Sequence, residues 1–147
     1  MFTDMVGYTA LSQRDEARAL HVLEKHNTLT RSVLSKHRGR EVKTIGDAFL
    51  LEFDSALDAT LCAIDIQQKL HEHNLAATEP DRINIRIGIH EGDVVHRGSD
   101  ILGDAVNIAS KIEACADPGG ICITAAVFLQ VRNKPPHPLA KLPEQKL

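Results

Sequence analysis

Residues 83–89 read Ile-Asn-Ile-Arg-Ile-Gly-Ile, and this strict alternation is the clearest secondary-structure signal in the chain. Isoleucine at every second position gives a strand one apolar face, because successive side chains of a strand point to opposite sides. β-branched side chains also pack well on the pleated surface of a sheet. We therefore predict a strand over residues 83–89 and place the remaining elements around it.

Upstream of this strand, the pattern predicts a strand, a helix, a hairpin and a second helix. Apolar residues at alternating three- and four-residue steps are typical of an amphipathic helix. Gly46-Asp47 lies between two apolar runs and supplies the residues of a tight hairpin turn. The predicted elements are a short first strand closed by Asp4, a helix over 11–37, a hairpin over 41–53 and a helix over 55–74 capped by Asp54 or Ser55.

Downstream of the strand, Gly92 interrupts the alternation, and Val94-Val95 is predicted to begin a partner strand for it. A helix over 104–115 and a short strand over 121–124 follow. The tail after Val131 carries four prolines, which favours an irregular extension.

This order, strand-helix-strand-strand-helix-strand with a further helix and strand appended, predicts an α+β protein with a ferredoxin-like βαββαβ core. The expected sheet is antiparallel and carries its helices on one face. Because strand-helix-strand crossovers are right-handed, the first and second strands should run parallel, with the third between them. Asp4 at the end of the first strand and Asp47 at the hairpin tip should then meet at one edge of the sheet.

Length and composition limit the class of protein. The 147 residues fit one domain, which we expect over 1–131, with a proline-rich extension over 132–147 that begins further, truncated strands. The net charge is −3, only 3% of the residues are aromatic and there is no Trp. Nucleic-acid binding is therefore not expected, because it calls for basic patches and aromatic platforms for the bases.

The sequence also indicates a cellular compartment. It contains no apolar run near the roughly 18 residues of a membrane-spanning helix, and its start lacks the layout of a secretory signal. The three cysteines, Cys62, Cys115 and Cys122, are an odd number without CxxC spacing, which favours reduced thiols. The expected location is the cytoplasm, or the cytoplasmic side of a membrane if a longer protein is anchored there.

Two carboxylates that converge on one sheet edge repel each other unless a cation lies between them. Oxygen ligands without His or Cys favour Mg²⁺ or Mn²⁺, and paired carboxylates commonly hold two such ions. The segment Val6-Gly7-Tyr8-Thr9 follows Asp4 directly, and backbone N–H groups at the start of a helix suit phosphate. On the residues alone, an equally good interpretation makes Asp4 a helix cap and Asp47 an ordinary turn residue.

Four blocks of sequence bear on the choice between a metal site and ordinary cap and turn residues. They stand in order along the chain at Phe2–Thr9, Lys43–Phe49, Gly88–Gly92 and Gly103–Ser110. Together they resemble the catalytic domain of class III nucleotidyl cyclases, the adenylate and guanylate cyclases, over residues 1 to about 130. The resemblance implies the cyclase fold and an enzyme that makes a cyclic nucleotide.

The resemblance also implies roles for single residues. Asp4 and Asp47 match the two metal-binding aspartates, with the carbonyl of Met5 as a further ligand for two Mg²⁺ or Mn²⁺ ions in each site. Lys43 and Asp100 match the pair that reads the purine edge.

Residues of helix 104–115 and a second chain complete the implied site. Asn107 matches the residue that orients the ribose and the transition state. Lys111 occupies the position where the family typically has Arg, and it keeps the charge without the planar fork. Family members work as head-to-tail dimers, in which one chain gives the aspartates and the other gives the purine readers and the Asn. We therefore expect a homodimer, with regulatory domains elsewhere in a longer chain.

Hydrogen-bond chemistry favours ATP as the substrate. Adenine offers a donor at N6 for the Asp100 carboxylate and an acceptor at N1 for the Lys43 ammonium. Guanine presents the reverse arrangement and would leave buried polar groups unpaired. We therefore predict an adenylate cyclase that converts ATP to 3′,5′-cyclic AMP and pyrophosphate. The alternatives are a guanylate cyclase, or a catalytically weak cyclase fold that binds nucleotide or dimerises, which the change at Lys111 would favour.

Overall fold

Within residues 1–134, which the computed structural model describes, five strands form a main sheet and two form a separate ribbon. The strands are β1 (Phe2–Met5), β2 (Arg40–Ile45), β3 (Ala48–Glu52), β4 (Ile85–Ile89), β5 (Val95–Arg97), β6 (Asp100–Leu102) and β7 (Ile121–Ile123). The main sheet has the order β2-β3-β1-β4-β7, and β5 pairs with β6 in the ribbon. The same part of the chain holds five α-helices, α1 (Tyr8–Arg14), α2 (Glu16–Leu34), α3 (Ala56–Ala76), α4 (Asp104–Ala114) and α5 (Ala125–Val131).

The predicted ferredoxin-like core is confirmed. Strand β3 lies between β1 and β2 and is antiparallel to both, so β1 and β2 run in the same direction. Strand β1 pairs with β4 on its other side, again antiparallel, and the appended β7 adds to β4 in parallel. The hairpin tip between β2 and β3 therefore lies at the same edge of the sheet as the end of β1.

The two faces of the sheet carry different helices. Helices α2 and α3 cover the face to which the alternating isoleucines of β4 point, and Ile85, Ile87 and Ile89 are at most 2% exposed there. Helix α4 lies on the opposite face, directly against Gly88. The helices of the core therefore share one face, as predicted, and the appended α4 lies on the other, where the glycine in β4 leaves room for a helix backbone.

The predicted long helix over 11–37 is two helices that meet at Asp15. Helix α1 begins earlier than predicted, at Tyr8, and α2 ends at Leu34. Asp15 has a non-helical backbone, with φ −153° and ψ 89°, and its side chain accepts a hydrogen bond from the Arg18 N–H, which makes it the N-cap of α2. Ser55 is the cap of α3, one of the two residues that the sequence offered.

One downstream expectation is also corrected. The strand near Val95 does not pair with β4, because β1 and β7 already occupy both edges of β4, and it pairs with β6 instead. The segment before Val131 is helix α5, whose Val127 and Val131 are fully buried. Of the predicted extension over 132–147, only the turn at 132–134 is described, and residues 135–147 lie outside the described part of the chain.

A methyl group at Gly88 should displace α4. A Cβ added there would lie 2.6 Å from the Glu113 Cα and 2.7 Å from the Ala109 carbonyl oxygen, both backbone atoms. Forcing extra volume into a packed interface costs about 1–3 kcal/mol, so Gly88→Ala should lower the free energy of unfolding by that amount in urea titrations.

Gly120→Ala is the control, since its added Cβ would meet one backbone oxygen, of Asp117, at 3.0 Å. This change should lower the free energy of unfolding by less than about 1 kcal/mol. Equal losses for the two variants would show that α4 does not depend on Gly88.

Candidate active site

The end of β1 and the β2–β3 turn bring two carboxylates together, as the sequence predicts. Thr3 is the cross-strand partner of Phe49, so the next residues of β1 lie beside the turn. The Met5 N–H donates a hydrogen bond of 2.8 Å to Oδ2 of Asp47. The side chain of Asp4 lies close enough to that of Asp47 to hydrogen bond with it. Backbone pairing therefore holds two like charges together.

Negative charge is concentrated at this pair of carboxylates. Burial raises the pKa of Asp4 to about 7, with contributions from the hydrogen bond to Asp47 and from the negative charges of Asp47 and Glu113. Arg86 is the cross-strand partner of Asp4, but its Nε donates to the Ala116 carbonyl instead. Since the neighbouring guanidinium is used elsewhere, a metal ion is the natural counter-charge for the two aspartates.

The donor set fits Mg²⁺ or Mn²⁺. The carboxylates of Asp4 and Asp47 and the carbonyl of Met5 are hard oxygen donors, which both ions prefer. Over residues 1–134, no group of three or more His, Cys, Asp or Glu side chains is placed to hold a metal. Binding here would therefore need two carboxylates plus oxygens from backbone, water or substrate, the usual arrangement for Mg²⁺ with phosphates.

The turn into α1 lies at Val6 and Gly7, and Tyr8 and Thr9 are the first two residues of the helix. Gly7 is the N-cap with φ 76°, a left-handed conformation that glycine adopts without strain. The Val6 N–H donates 2.8 Å to the Asn84 carbonyl and fixes the turn against the segment before β4. Because the first N–H groups of a helix have no partner within it, the start of α1 presents donors beside the carboxylates.

Lys43 and Asp100 form an ion pair between β2 and the ribbon. The Lys43 Nζ lies 3.1 Å from Asp100 Oδ2, and the Ile101 N–H donates 2.8 Å to Asp100 Oδ1. The hydrogen bond from Lys43 holds the pKa of Asp100 below its usual range. The two side chains keep 41% and 37% of their surface exposed, so the pair remains open to a ligand.

A β-bulge in β2 directs Lys43 toward the ribbon. The register shifts between Glu41, opposite Leu51, and Lys43, opposite Leu50. Cross-strand partners share a face, so Lys43 points to the face on which Leu50 packs against the ribbon residue Ile101. An unbroken strand would have turned this side chain to the other face. The sequence did not predict the bulge.

Asn107 and Lys111 lie one turn apart on the exposed side of α4. Ala109 and Ile112 are buried on the opposite side of this helix and hold it against the sheet. Within residues 1–134, neither the Asn107 nor the Lys111 side chain makes a hydrogen bond or ion pair. Both therefore face outward with free polar groups.

Sequence reasoning missed Glu113. It lies on the buried side of α4, is 6% exposed, and its Oε1 has no hydrogen-bond partner within the described residues. Burial raises its pKa, while the charge of Arg86 acts to lower it. A glutamate on the apolar stripe of a helix, one turn after Ala109, is a pattern that could have identified it.

One chain holds the candidate residues in three groups: the carboxylates with the α1 turn, the Lys43–Asp100 pair, and the exposed side of α4. No hydrogen bond or ion pair within residues 1–134 joins one group to another. A cavity of about 130 Å³ lies at the opposite edge of the sheet, lined by the ends of β3 and β4 and by α4, and none of the candidate residues lines it. The described residues therefore assemble the parts of a site without enclosing one.

Among residues 1–134, no helix combines the length and the apolar character that crossing a membrane requires.

Known sequences include a matching protein family and several related proteins. The family described as the adenylate and guanylate cyclase catalytic domain matches residues 1–137. The putative adenylate cyclase 3 of Rhizobium meliloti is 38% identical over 133 residues, which cover 89% of this chain and 22% of that protein. The serine/threonine-protein kinase pkn2 of Myxococcus xanthus is 33% identical, over 91% of this chain and 16% of that protein. The chain thus spans less than a quarter of the length of these curated relatives.

Solved structures agree with the sequence comparison. An adenylate/guanylate cyclase/hydrolase from Silicibacter pomeroyi superposes with a TM-score of 0.90 at 36% identity, over 98% of this chain and 84% of that chain. The guanylyl cyclase domain of the RhoGC fusion protein from Blastocladiella emersonii, solved as a monomeric double mutant, gives a TM-score of 0.79 at 29% identity, over 90% and 81% of the two chains. The chain therefore belongs to the family of adenylate and guanylate cyclase catalytic domains, the class III nucleotidyl cyclases.

Proposed function

We propose that this domain is an adenylate cyclase that converts ATP to 3′,5′-cyclic AMP and pyrophosphate. In this reaction the ribose 3′-oxygen loses its proton and forms a bond to the α-phosphorus. The bond from the α-phosphorus to the oxygen that bridges to the β-phosphate breaks, and pyrophosphate leaves with both electrons of that bond. The reaction needs base recognition, neutralisation of phosphate charge and a fixed ribose.

The observation that carries the choice of ATP is the Lys43–Asp100 pair. Its ammonium and carboxylate are 3.1 Å apart and partly exposed, so one donor and one acceptor stand side by side on the surface. Adenine N1 accepts and N6 donates, which matches this pair, whereas guanine N1 donates and O6 accepts. Guanine would set its N1 donor against the ammonium and its O6 acceptor against the carboxylate, and both contacts would be repulsive.

Asp4, Asp47 and the Met5 carbonyl are the residues that would hold the metal ions. When bound, such ions supply positive charge to the triphosphate and to the attacking oxygen. The Met5 N–H holds Asp47 in place at 2.8 Å, which fixes the direction of one carboxylate before any ligand arrives. The N–H groups of Gly7, Tyr8 and Thr9, at the start of α1, would donate to phosphate oxygens beside the same edge.

Asn107 and Lys111 are proposed to act on the reacting centre. Both lie on the exposed side of α4, and among residues 1–134 neither side chain has a hydrogen-bond or ion-pair partner, which fits residues that serve a bound nucleotide. Asn107 would hold the ribose through its amide, and Lys111 would meet the transferring phosphate as a point charge. A lysine lacks the two parallel donors of arginine, so its contact with phosphate is less directional.

The three groups of residues become one site only if two chains combine. We propose a head-to-tail homodimer in which one protomer contributes Asp4 and Asp47, and its partner contributes the base readers and α4. The separation of these groups within one chain supports this arrangement. Lys43 and Asp47, on one hairpin, would then serve two different sites.

A guanylate cyclase is the second candidate. It is favoured by the structural likeness to a guanylyl cyclase domain at 29% identity. The two candidate functions differ in the base that the Lys43–Asp100 pair recognises. Substitution of both residues therefore distinguishes an adenylate cyclase from a guanylate cyclase.

Replacing the base-reading pair should change the substrate. In Lys43→Glu with Asp100→Ser, an acceptor meets guanine N1 and a hydroxyl meets O6, so the ratio of kcat/KM for ATP to that for GTP should fall about tenfold or more. Steady-state kinetics with both nucleotides measure the ratio. The control makes the matching exchange, Arg31→Glu with Glu41→Ser, at an ion pair elsewhere on the surface. An unchanged ratio in the first variant would mean that these residues do not read the base.

Removing the charge of Asp4 should stabilise the metal-free protein. A carboxyl whose pKa is raised on folding favours the protonated state, so its stability contribution falls as pH rises from about 4 to about 7. Asp4→Asn should therefore raise Tm at pH 8 in EDTA and raise it less at pH 5. Each kcal/mol corresponds to about 2–4 °C in a domain of this size.

The effect of Mn²⁺ on Tm should then distinguish the parent protein from Asp4→Asn. Mn²⁺ should raise the Tm of the parent protein and leave that of Asp4→Asn unchanged, because a ligand stabilises only the state that binds it. The exposed Asp117→Asn is the control and should behave like the parent. Equal Mn²⁺ stabilisation of Asp4→Asn and the parent would remove Asp4 from the metal site.

Complementation tests the shared site. Asp4→Ala and Asn107→Ala should each be inactive as homodimers. In a mixture, random pairing gives about half heterodimers with one complete site of two, so about a quarter of the parent activity should return. Subunit exchange is followed in parallel by native mass spectrometry. Exchange without recovered activity would rule out the two-chain site.

A further inference from the structure

The ribbon that carries Asp100 is attached to the rest of the domain by few groups. Strands β5 and β6 pair with each other and with no strand of the main sheet. Ile101 anchors the ribbon by packing on Val42 and Leu50, and it is 5% exposed. Val94, directly before β5, and Val106 on α4 are partly buried against the same small cluster. Apolar packing is not directional, so polar contacts are needed to fix the orientation of the ribbon.

Glu52, the last residue of β3, supplies those contacts. Its cross-strand partner is Arg40, whose Nε and Nη2 donate to Glu52 Oε1 at 3.0 and 2.8 Å. The second oxygen, Oε2, lies 2.7 Å from Nε2 of His96 on β5. Although burial raises the pKa of Glu52, the hydrogen bonds from Arg40 and His96 outweigh this effect and hold it below its usual range.

Arg40 extends the same contact to the second strand of the ribbon. Its Nη1 donates 3.0 Å to the carbonyl oxygen of Ser99, the residue directly before Asp100. One carboxylate and one guanidinium therefore hold the ribbon at β5, through His96, and at the turn into β6. The Glu52 side chain is 19% exposed, so these contacts are partly shielded from water.

We propose that Glu52, acting with Arg40, is a positioning residue for base selection: it fixes the ribbon so that Asp100 stands 3.1 Å from Lys43. This inference rests on the proposed role of Lys43 and Asp100 as adenine readers. Glu52 touches neither of them. Its effect reaches the base only through the position of Asp100, so its loss should affect ATP and spare a nucleotide that does not use Asp100.

The test compares Glu52→Ala with the matched control Glu41→Ala. Glu41 also lies on a strand and also accepts two hydrogen bonds from one arginine, Arg31, at 2.8 and 3.2 Å, but it makes no contact with the ribbon. In Glu52→Ala, amide hydrogen exchange over residues 94–102 should become faster. The KM for ATP should rise about tenfold, as expected when one directed polar contact is lost. The kcat for ATP and the kcat/KM for GTP should stay close to the parent values, and Glu41→Ala should change none of these quantities.

His96→Ala serves as a second variant because the His96 side chain is 60% exposed, so its removal spares the core. It cuts one of the two attachments and should shift exchange and KM in the same direction by a smaller factor. If both variants match Glu41→Ala in exchange and in KM for ATP, the positioning role is wrong. Should Glu52→Ala fail to fold, the result for His96→Ala decides alone.

Asp100→Ala separates this inference from the proposed function. If Asp100→Ala leaves the preference for ATP over GTP unchanged, Asp100 does not read the base, and both the proposed base readers and the inference drawn from them fall. If Asp100→Ala reduces the preference while Glu52→Ala does not, the base readers stand and the positioning role of Glu52 is overturned.

Discussion

The antiparallel pairing of β3 with both β1 and β2 is the constraint on which the rest of the structure depends. It places the end of β1 against the β2–β3 turn, where the Met5 N–H binds Asp47 at 2.8 Å and Asp4 stands beside it. Backbone hydrogen bonds thus hold two carboxylates side by side, and burial, together with the hydrogen bond to Asp47 and its negative charge, raises the pKa of Asp4 to about 7. A fold that keeps such a conflict at a sheet edge is typical of a functional site.

Much of the core followed from local pattern and handedness. The alternation over 83–89 and the Gly46-Asp47 turn predicted strands and a hairpin, and the right-handed crossover predicted that Asp4 and Asp47 would meet. The pairing partner of the strand near Val95 could not be predicted locally, because it depends on β7 occupying the edge of β4 more than twenty residues later. The bulge before Lys43 could not be predicted either. It places two residues of β2 opposite one residue of β3, so it is defined only by how the two strands pair.

The residues of the site differ in how much of their position and role could be predicted from the sequence. The resemblance to class III cyclases paired Lys43 with Asp100, and the structure adds an ion pair and the ribbon that carries it. Asn107 and Lys111 lie together on the exposed side of α4, and their roles stay predictions. Glu113 escaped notice because its importance comes from burial against β1 and β4, which no short motif records. The contacts of Glu52 likewise join segments 44 residues apart.

Within residues 1–134, the Asn107 and Lys111 side chains have no hydrogen-bond or ion-pair partner. In the proposed head-to-tail dimer they would face Asp4 and Asp47 of the second chain. The most direct test is the rate of cyclic AMP formation per chain from ATP and Mn²⁺, measured over a dilution series with the dimer fraction determined by analytical ultracentrifugation. We expect the rate per chain to follow the dimer fraction and to vanish where the protein is monomeric. A rate per chain that stays constant on dilution into the monomer range, or no cyclic AMP from a fully dimeric sample, would contradict this account.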